Sequence, residues 1–225
     1  MIDVTDGLRW IGEHAHEEKR LATGMLGGIS LTVARGVEAE DFLVRLGAES
    51  EQLQCHDLYK ERYELAAPPG LNVSHAMYGT CGDWLYILED DFMGFATWWA
   101  GYRTVAAMAP LVGEEIICLT QNRHDAPPLI LHAPGDGQTW EAEFKGETER
   151  SSVLDAALHA AGAVFPSFYA GTASSTEEES RYFEEHLHEL QPAVFAAVGN
   201  YCGITIDRAS VEAGDLPLAV FPSLF

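Results

Sequence analysis

The chain reads as an α+β protein: a central, mostly antiparallel sheet with helices packed on it and a helical C-terminal part at about 150–200. Three observations predict this. The run Ile29-Ser-Leu-Thr-Val-Ala-Arg-Gly36, followed by Val37-Glu-Ala-Glu-Asp-Phe-Leu-Val-Arg-Leu-Gly47, has the pattern of a strand, a glycine turn and a short amphipathic helix closed by glycine. Three strand-like runs at 114–121, 128–133 and 139–144 carry Asp136-Gly137 between the last two, a hairpin signal that predicts an antiparallel meander. Beyond residue 150 the apolar spacing turns helical and capping residues precede it.

The elements follow in order. Leu8, Ile11 and Ala15 fall on one stripe of a predicted helix at 6–22, with Glu13, Glu17 and Glu18 off it. Gly24, Gly27 and Gly28 break that helix and lead into a strand at 29–34. The helix at 37–46 turns Phe42, Leu43 and Leu46 inward, and Gly47 ends it. Residues 48–80 give the weakest pattern: Tyr59 and Tyr63 suit a short helix, and Pro68-Pro69-Gly70 breaks whatever precedes it.

A strand at 84–89 carries apolar residues on both faces, which predicts cover on both sides. Thr97 is a candidate N-cap for a helix at 98–109, and Pro110 blocks its continuation. Ser151 or Ser152 caps a helix at about 153–162, with Val153, Leu154, Ala157, Leu158 and Ala161 on one face. Ser175-Thr176 with Glu178-Glu179 opens another near 177–190. Pro192 either kinks that helix or starts a second one ending at Gly199. Residues 203–225 read as a short strand and an apolar tail packed back on the core. With no internal repeat and no clean linker, residues 1–225 are expected to form a single domain.

Composition narrows the function. Thirteen Lys and Arg against 35 Asp and Glu leave a net charge of −22, spread along the whole sequence. Such a surface favours solubility and attracts basic partners. Direct nucleic-acid binding is disfavoured, because phosphate recognition needs clustered Lys and Arg. No apolar stretch approaches the roughly 20 residues of a membrane-spanning helix. The first 20 residues lack the basic and apolar regions of a signal peptide. Cys55, Cys81, Cys118 and Cys202 are widely spaced without a C-x-x-C pair, which fits free thiols in a reducing cytoplasm.

Candidate chemistry is sparse. His14 with His16, and His186 with His188, look like metal pairs, but positions i and i+2 of a helix diverge too far to share an ion. Cys81 lies in Gly79-Thr-Cys-Gly-Asp83 before a strand, whereas a nucleophile elbow needs a second glycine and the opposite order of elements. Glu89, Asp90 and Asp91 end one strand and Glu114-Glu115 open the next. Carboxylates there are either solvated charges or oxygen ligands for a divalent cation. No phosphate-binding glycine loop is present, so no cofactor is expected.

Trp98 and Trp99 cannot both face one core, since helical neighbours diverge by about 100°. One of them is therefore expected at the edge or exposed, and Trp98, Trp99, Glu89, Asp90 and Asp91 mark the expected interaction surface, acidic with an aromatic centre. The leading expectation is therefore a non-enzymatic acidic protein that inhibits, neutralises or regulates a basic protein. Its rival is a small-molecule binder or enzyme with a pocket near Cys81, His75 and Trp84, and a homodimer built on the aromatic helix is a third possibility.

Several segments together resemble an actinobacterial domain family of unknown function. They are Thr32-Val-Ala-Arg-Gly36, Arg45-Leu-Gly-Ala48, the spacing of Trp84, Glu89 and Gly94, then Asn122, Trp140-Glu-Ala-Glu-Phe144 and Cys202-Gly-Ile-Thr205. The chain departs from that pattern at Lys145-Gly-Glu147, where an acidic-proline step is usual, and over 48–80 and 167–190. The resemblance implies the fold and a bacterial cytoplasm, and it carries no catalytic residue.

Overall fold

A computed structural model describes residues 7–15, 17, 21–64, 72–90, 96–120, 129–142, 152–163 and 174–222. Its centre is one seven-stranded antiparallel sheet in the order β6-β5-β4-β1-β3-β2-β7. The strands are β1 (Ile29–Arg35), β2 (Val73–Cys81), β3 (Trp84–Asp90), β4 (Val112–Thr120), β5 (Leu129–Asp136), β6 (Trp140–Ala142) and β7 (Leu218–Pro222). Among the described residues the α-helices are α1 (Arg9–Glu13), α2 (Ala39–Arg45), α3 (Ser50–Cys55), α4 (Thr97–Gly101), α5 (Val153–Ala160), α6 (Ser174–Cys202) and α7 (Arg208–Ala213). The chain is thus α+β, with helices packed on an antiparallel sheet.

Side chains alternate across a strand, so each central strand supplies two cores. Leu31 and Val33 of β1, Trp84, Tyr86 and Leu88 of β3, and Ile117 and Leu119 of β4 face one side. There they meet Leu8 and Ile11, Leu154 and Leu158 of α5, and Val194, Phe195 and Val198 of α6. Ala34, Leu85, Ile87, Ile116 and Cys118 face the other side, against Phe42 and Leu43 of α2, Leu53 of α3 and Trp98 of α4. Cover on both faces explains why β1, β3 and β4 are nearly continuous apolar runs.

The meander of β4, β5 and β6 is present, and Gly137 at its second turn takes a φ of 77°. Gly47 closes α2 at a φ of 105°. Other expectations need correction. The first helix stops at Glu13 and a turn follows it. The segment expected as helix 98–109 is only one turn at α4 and a 3-10 turn at Ala106–Met108. Ala96, not Thr97, is the N-cap residue of α4. Ser152 caps α5, accepting the Asp155 N–H, but Val153 points to solvent.

Pro192 lies inside α6, which continues past Gly199 to Cys202. At Gly199 a Cβ would sit 3.0 Å from Leu8 Cγ, so this glycine is a close-packing position rather than a stop. Gly12 serves the same contact from α1, where a Cβ would lie 2.5 Å from the Gln191 carbonyl oxygen. Three elements have no counterpart in the sequence pattern: α3 and β2, in the weakly patterned region, and α7, in the C-terminal tail. Pro68-Pro69-Gly70 lies outside the described residues.

Candidate functional site

The densest buried polar cluster among the described residues sits at one end of the sheet, around Glu115. Register builds it. Arg35, the last residue of β1, pairs with Trp84 on one side and Glu115 on the other. His132 of β5 pairs with Ile117, two residues along β4 from Glu115, and so shares its face. Tyr201, in the last turn of α6, reaches down onto the same carboxylate.

Glu115 Oε2 accepts from Arg35 Nε at 2.8 Å and Nη2 at 2.5 Å. Oε1 accepts from the Tyr201 hydroxyl at 2.5 Å and lies 3.1 Å from His132 Nε2. An ionised carboxylate only accepts, so His132 carries a proton on Nε2. The Arg35 guanidinium lies 4.9 Å from the Trp84 ring centroid, a cation–π contact that helps hold it over the sheet. Glu115 and His132 are buried, while Arg35 reaches solvent.

The electrostatics follow from these contacts. Burial alone would raise the Glu115 pKa, but hydrogen bonds from His132, Tyr201 and Arg35 outweigh it and hold the pKa down at about 2. Burial, reinforced by the bond to Glu115, pushes the Tyr201 phenol well above its ordinary range. Burial, with the Glu115 charge second, does the same to the Cys202 thiol. At neutral pH the cluster therefore holds an ionised carboxylate, a protonated phenol and a protonated thiol. A general base works best with a pKa near the operating pH, and Glu115 lies far below it. The arrangement suits an ionic anchor that fastens the end of α6 to β1, β4 and β5.

Adjacent Glu114 does the mirror-image job. The β4–β5 ladder shifts register between Val112 and Glu115, and the two glutamates point to opposite faces. Glu114 receives both Arg45 Nη atoms, at 2.7 and 2.8 Å, and the Leu111 N–H at 2.9 Å. The expectation of solvated or cation-binding carboxylates at 114–115 is thus corrected: both are buried and paired with arginines. Among the described residues no group of three or more His, Cys, Asp or Glu is arranged to hold a metal ion. No helix of the described residues is long and apolar enough to cross a membrane.

The other sequence candidates are dispersed. Trp98 is fully buried, donating Nε1–H to the Met108 carbonyl at 3.0 Å and stacking on Tyr102. Glu89 is buried too, where it accepts the Thr97 N–H at 2.9 Å and the Thr97 hydroxyl. It thereby caps α4 through space, since an oxygen there satisfies an otherwise orphaned amide. Trp99 is half-buried against the same core, Asp90 is exposed, and Asp91 lies outside the described residues. Trp98 and Glu89 are buried, so neither belongs to an exposed patch.

The pocket expected near Cys81, His75 and Trp84 is also divided. Cys81 and Trp84 flank the two-residue hairpin turn and pair directly. His75 stands six residues back along β2, about 20 Å away at ~3.3 Å per residue. There it meets the Tyr63 ring edge-on at 6.4 Å, and burial, then Arg62, lowers its pKa. A Cys81–His75 pair is geometrically excluded. His14 lies 3.1 Å from Glu17, His186 and His188 stand on α6, and His16 lies outside the described residues.

No sequence motif marks His132 or Tyr201. The available signal was a lone histidine inside the apolar run at 129–133. No family model matches this chain, and neither does any curated protein or solved structure.

Proposed function

We propose that this chain is a non-enzymatic acidic interaction protein that inhibits, neutralises or regulates a basic protein partner. The observation that carries this reading is where six of its 13 Lys and Arg go, although Arg103 and Arg181 are exposed. Arg9 pairs with Glu13, Arg35 with Glu115, Arg45 with Glu114, Lys60 with Asp215 and Arg208 with Glu212. Arg62 is buried, its guanidinium bonded to the carbonyls of Ala22, Thr23 and Tyr59. These cations are neutralised or hidden within the fold, whereas Glu38, Glu40, Asp41, Glu49, Asp90 and Asp136 face solvent. With a net charge of −22, the outward field is strongly negative and would steer a basic surface toward the protein. Four free thiols fit a partner that works in a reducing cytoplasm.

The test is capture from the cytosol of its own cell at low and at high salt, with identification of what is retained. The expected result is a basic protein held at low salt and released at high salt. Retention of nothing at either salt, or of neutral proteins regardless of salt, would overturn the reading.

A further inference from the structure

The Asp136-Gly137 dipeptide that turns β5 toward β6 carries a chemistry of its own. Glycine has no Cβ to shield the peptide nitrogen that follows the aspartate. That nitrogen can reach the side-chain carboxyl carbon of the aspartate and close a cyclic imide. The chain contains two such dipeptides, Asp6-Gly7 and Asp136-Gly137. The fold treats their glycines differently.

Gly7 lies against backbone. A Cβ there would sit 2.7 Å from the Ile204 carbonyl oxygen, and the Gly7 carbonyl accepts the Ile206 N–H at 3.4 Å. Gly137 is loosely surrounded, since a Cβ there would meet nothing closer than Val112 Cγ2 at 3.4 Å. Asp136 is exposed and ends β5 opposite Val112. The register shift between Val112 and Glu115 separates that rung from the regular ladder, so few bonds hold it. Asp136 Oδ1 accepts the Gln138 N–H at 2.9 Å. A bond that spans Gly137 in this way curls the carboxyl group back over the Gly137 peptide.

We propose that Asp136 is a site of covalent self-modification, converting to isoaspartate through a succinimide while the protein is folded. The Gly137 nitrogen attacks Cγ of the neutral carboxyl group and forms a C–N bond. The proton of that nitrogen and the carboxyl hydroxyl leave together as water. Hydrolysis then returns one water to the ring. Cleavage at the side-chain carbonyl restores aspartate, and cleavage at the main-chain carbonyl leaves isoaspartate. No reactant other than water is needed. The product carries the chain through Cβ and Cγ, which adds a main-chain carbon to the turn between β5 and β6. The longer turn strains the rung between Trp140 and His132, the residue that touches Glu115.

The test incubates the full-length protein for weeks at mildly acidic pH, where aspartates are partly protonated. One sample is folded and the other is unfolded in guanidinium chloride. Isoaspartate has the mass of aspartate, so it is read by chromatography of the digested peptides and by resistance to an endoprotease that cuts before aspartate. The expected result is a gain of isoaspartate at 136 in both samples, and at 6 in the unfolded sample only. An unchanged Asp136 in the folded sample overturns the proposal, whatever the unfolded chain does. Equal gain at 6 and 136 in the folded sample overturns the selectivity assigned to the fold. Gly137→Ala restores the shielding Cβ and should suppress the gain at 136 in the unfolded chain, where folding is not at issue. A gain equal to that of wild type there would overturn the succinimide route.

Discussion

The Tyr201 hydroxyl and Glu115 Oε1 lie 2.5 Å apart, bridging 86 residues of chain and fixing the last turn of α6 to the start of β4. The carboxylate is buried, so the bond replaces water that Glu115 cannot otherwise reach. Tyr201→Phe removes the hydroxyl and keeps the ring. A hydrogen bond to a charged group contributes about 1.5–3 kcal/mol, so a loss of that size is expected. Urea unfolding should show a lower midpoint at an unchanged slope. An unchanged midpoint would mean that the bond is not formed in solution.

Glu115 makes stability pH-dependent, with a definite sign. Its folded pKa of about 2 lies below the ordinary value of 4.5. The contribution is therefore fully present above pH 4.5 and is lost as the pH falls toward 2. Glu115→Gln removes this titration while leaving Glu114, Glu40 and Asp207 unaltered, so their contributions cancel in the comparison. The stability advantage of wild type over E115Q should be constant above about pH 5, and it should shrink steadily through the acid range. A pH-independent difference would falsify the ionic role given to the carboxylate.

Gly24 and Gly203 are glycines for different reasons. A Cβ on Gly24 would lie 2.0 Å from the Val211 carbonyl oxygen and 2.4 Å from that of Glu212, both backbone atoms near the end of α7. The Met25 N–H donates to the same Val211 oxygen at 3.1 Å, so the loop cannot back away without breaking a bond. Gly203 takes a φ of +67° with open space where a Cβ would go. Gly24→Ala should cost about 3 kcal/mol, by overpacking. Gly203→Ala should cost about 1 kcal/mol, the strain of a left-handed alanine. Thermal unfolding ranks them; if Gly203→Ala proves the more damaging, the close approach at Gly24 is wrong.

Local signals carried most of the sheet. Asp136-Gly137 marks its hairpin without help from the rest of the chain, and β1 and β3 announce burial on both faces by their continuous apolar runs. Strand β2 does not, because Ser74, His75, Tyr78 and Thr80 interrupt it and its pairing with β3 and β7 makes it a strand. Helix α7 has six residues, too few to show a helical period. At Gly199 a sequence stop signal lost to tertiary packing, because the missing Cβ makes room for Leu8. The site was less legible than the fold. Arg35, Trp84 and Glu115 each lie in strand-like runs of the sequence, but only strand register brings them together. Glu89 looked solvated because Asp90 and Asp91 follow it, and its capping of α4 depends on where the next segment returns.

Thiol reactivity reads several of these contacts in one experiment. All four cysteines are free. Cys55 is exposed and Cys81 half-buried beside the hairpin turn, whereas Cys118 is buried with the Thr32 hydroxyl 3.3 Å from its sulfur. Cys202 is buried, and its surroundings keep it protonated and unreactive. Alkylation of the folded protein, followed by mass spectrometry, should label Cys55 first and Cys81 second. Cys118 and Cys202 should react only as fast as the fold opens. Cys81 outrunning Cys55 would instead favour a reactive thiol beside Trp84 and revive an enzymatic or ligand-binding reading. Cys202 reacting as fast as Cys55 would mean that the end of α6 lifts from the sheet, and that Tyr201 does not hold Glu115 in solution.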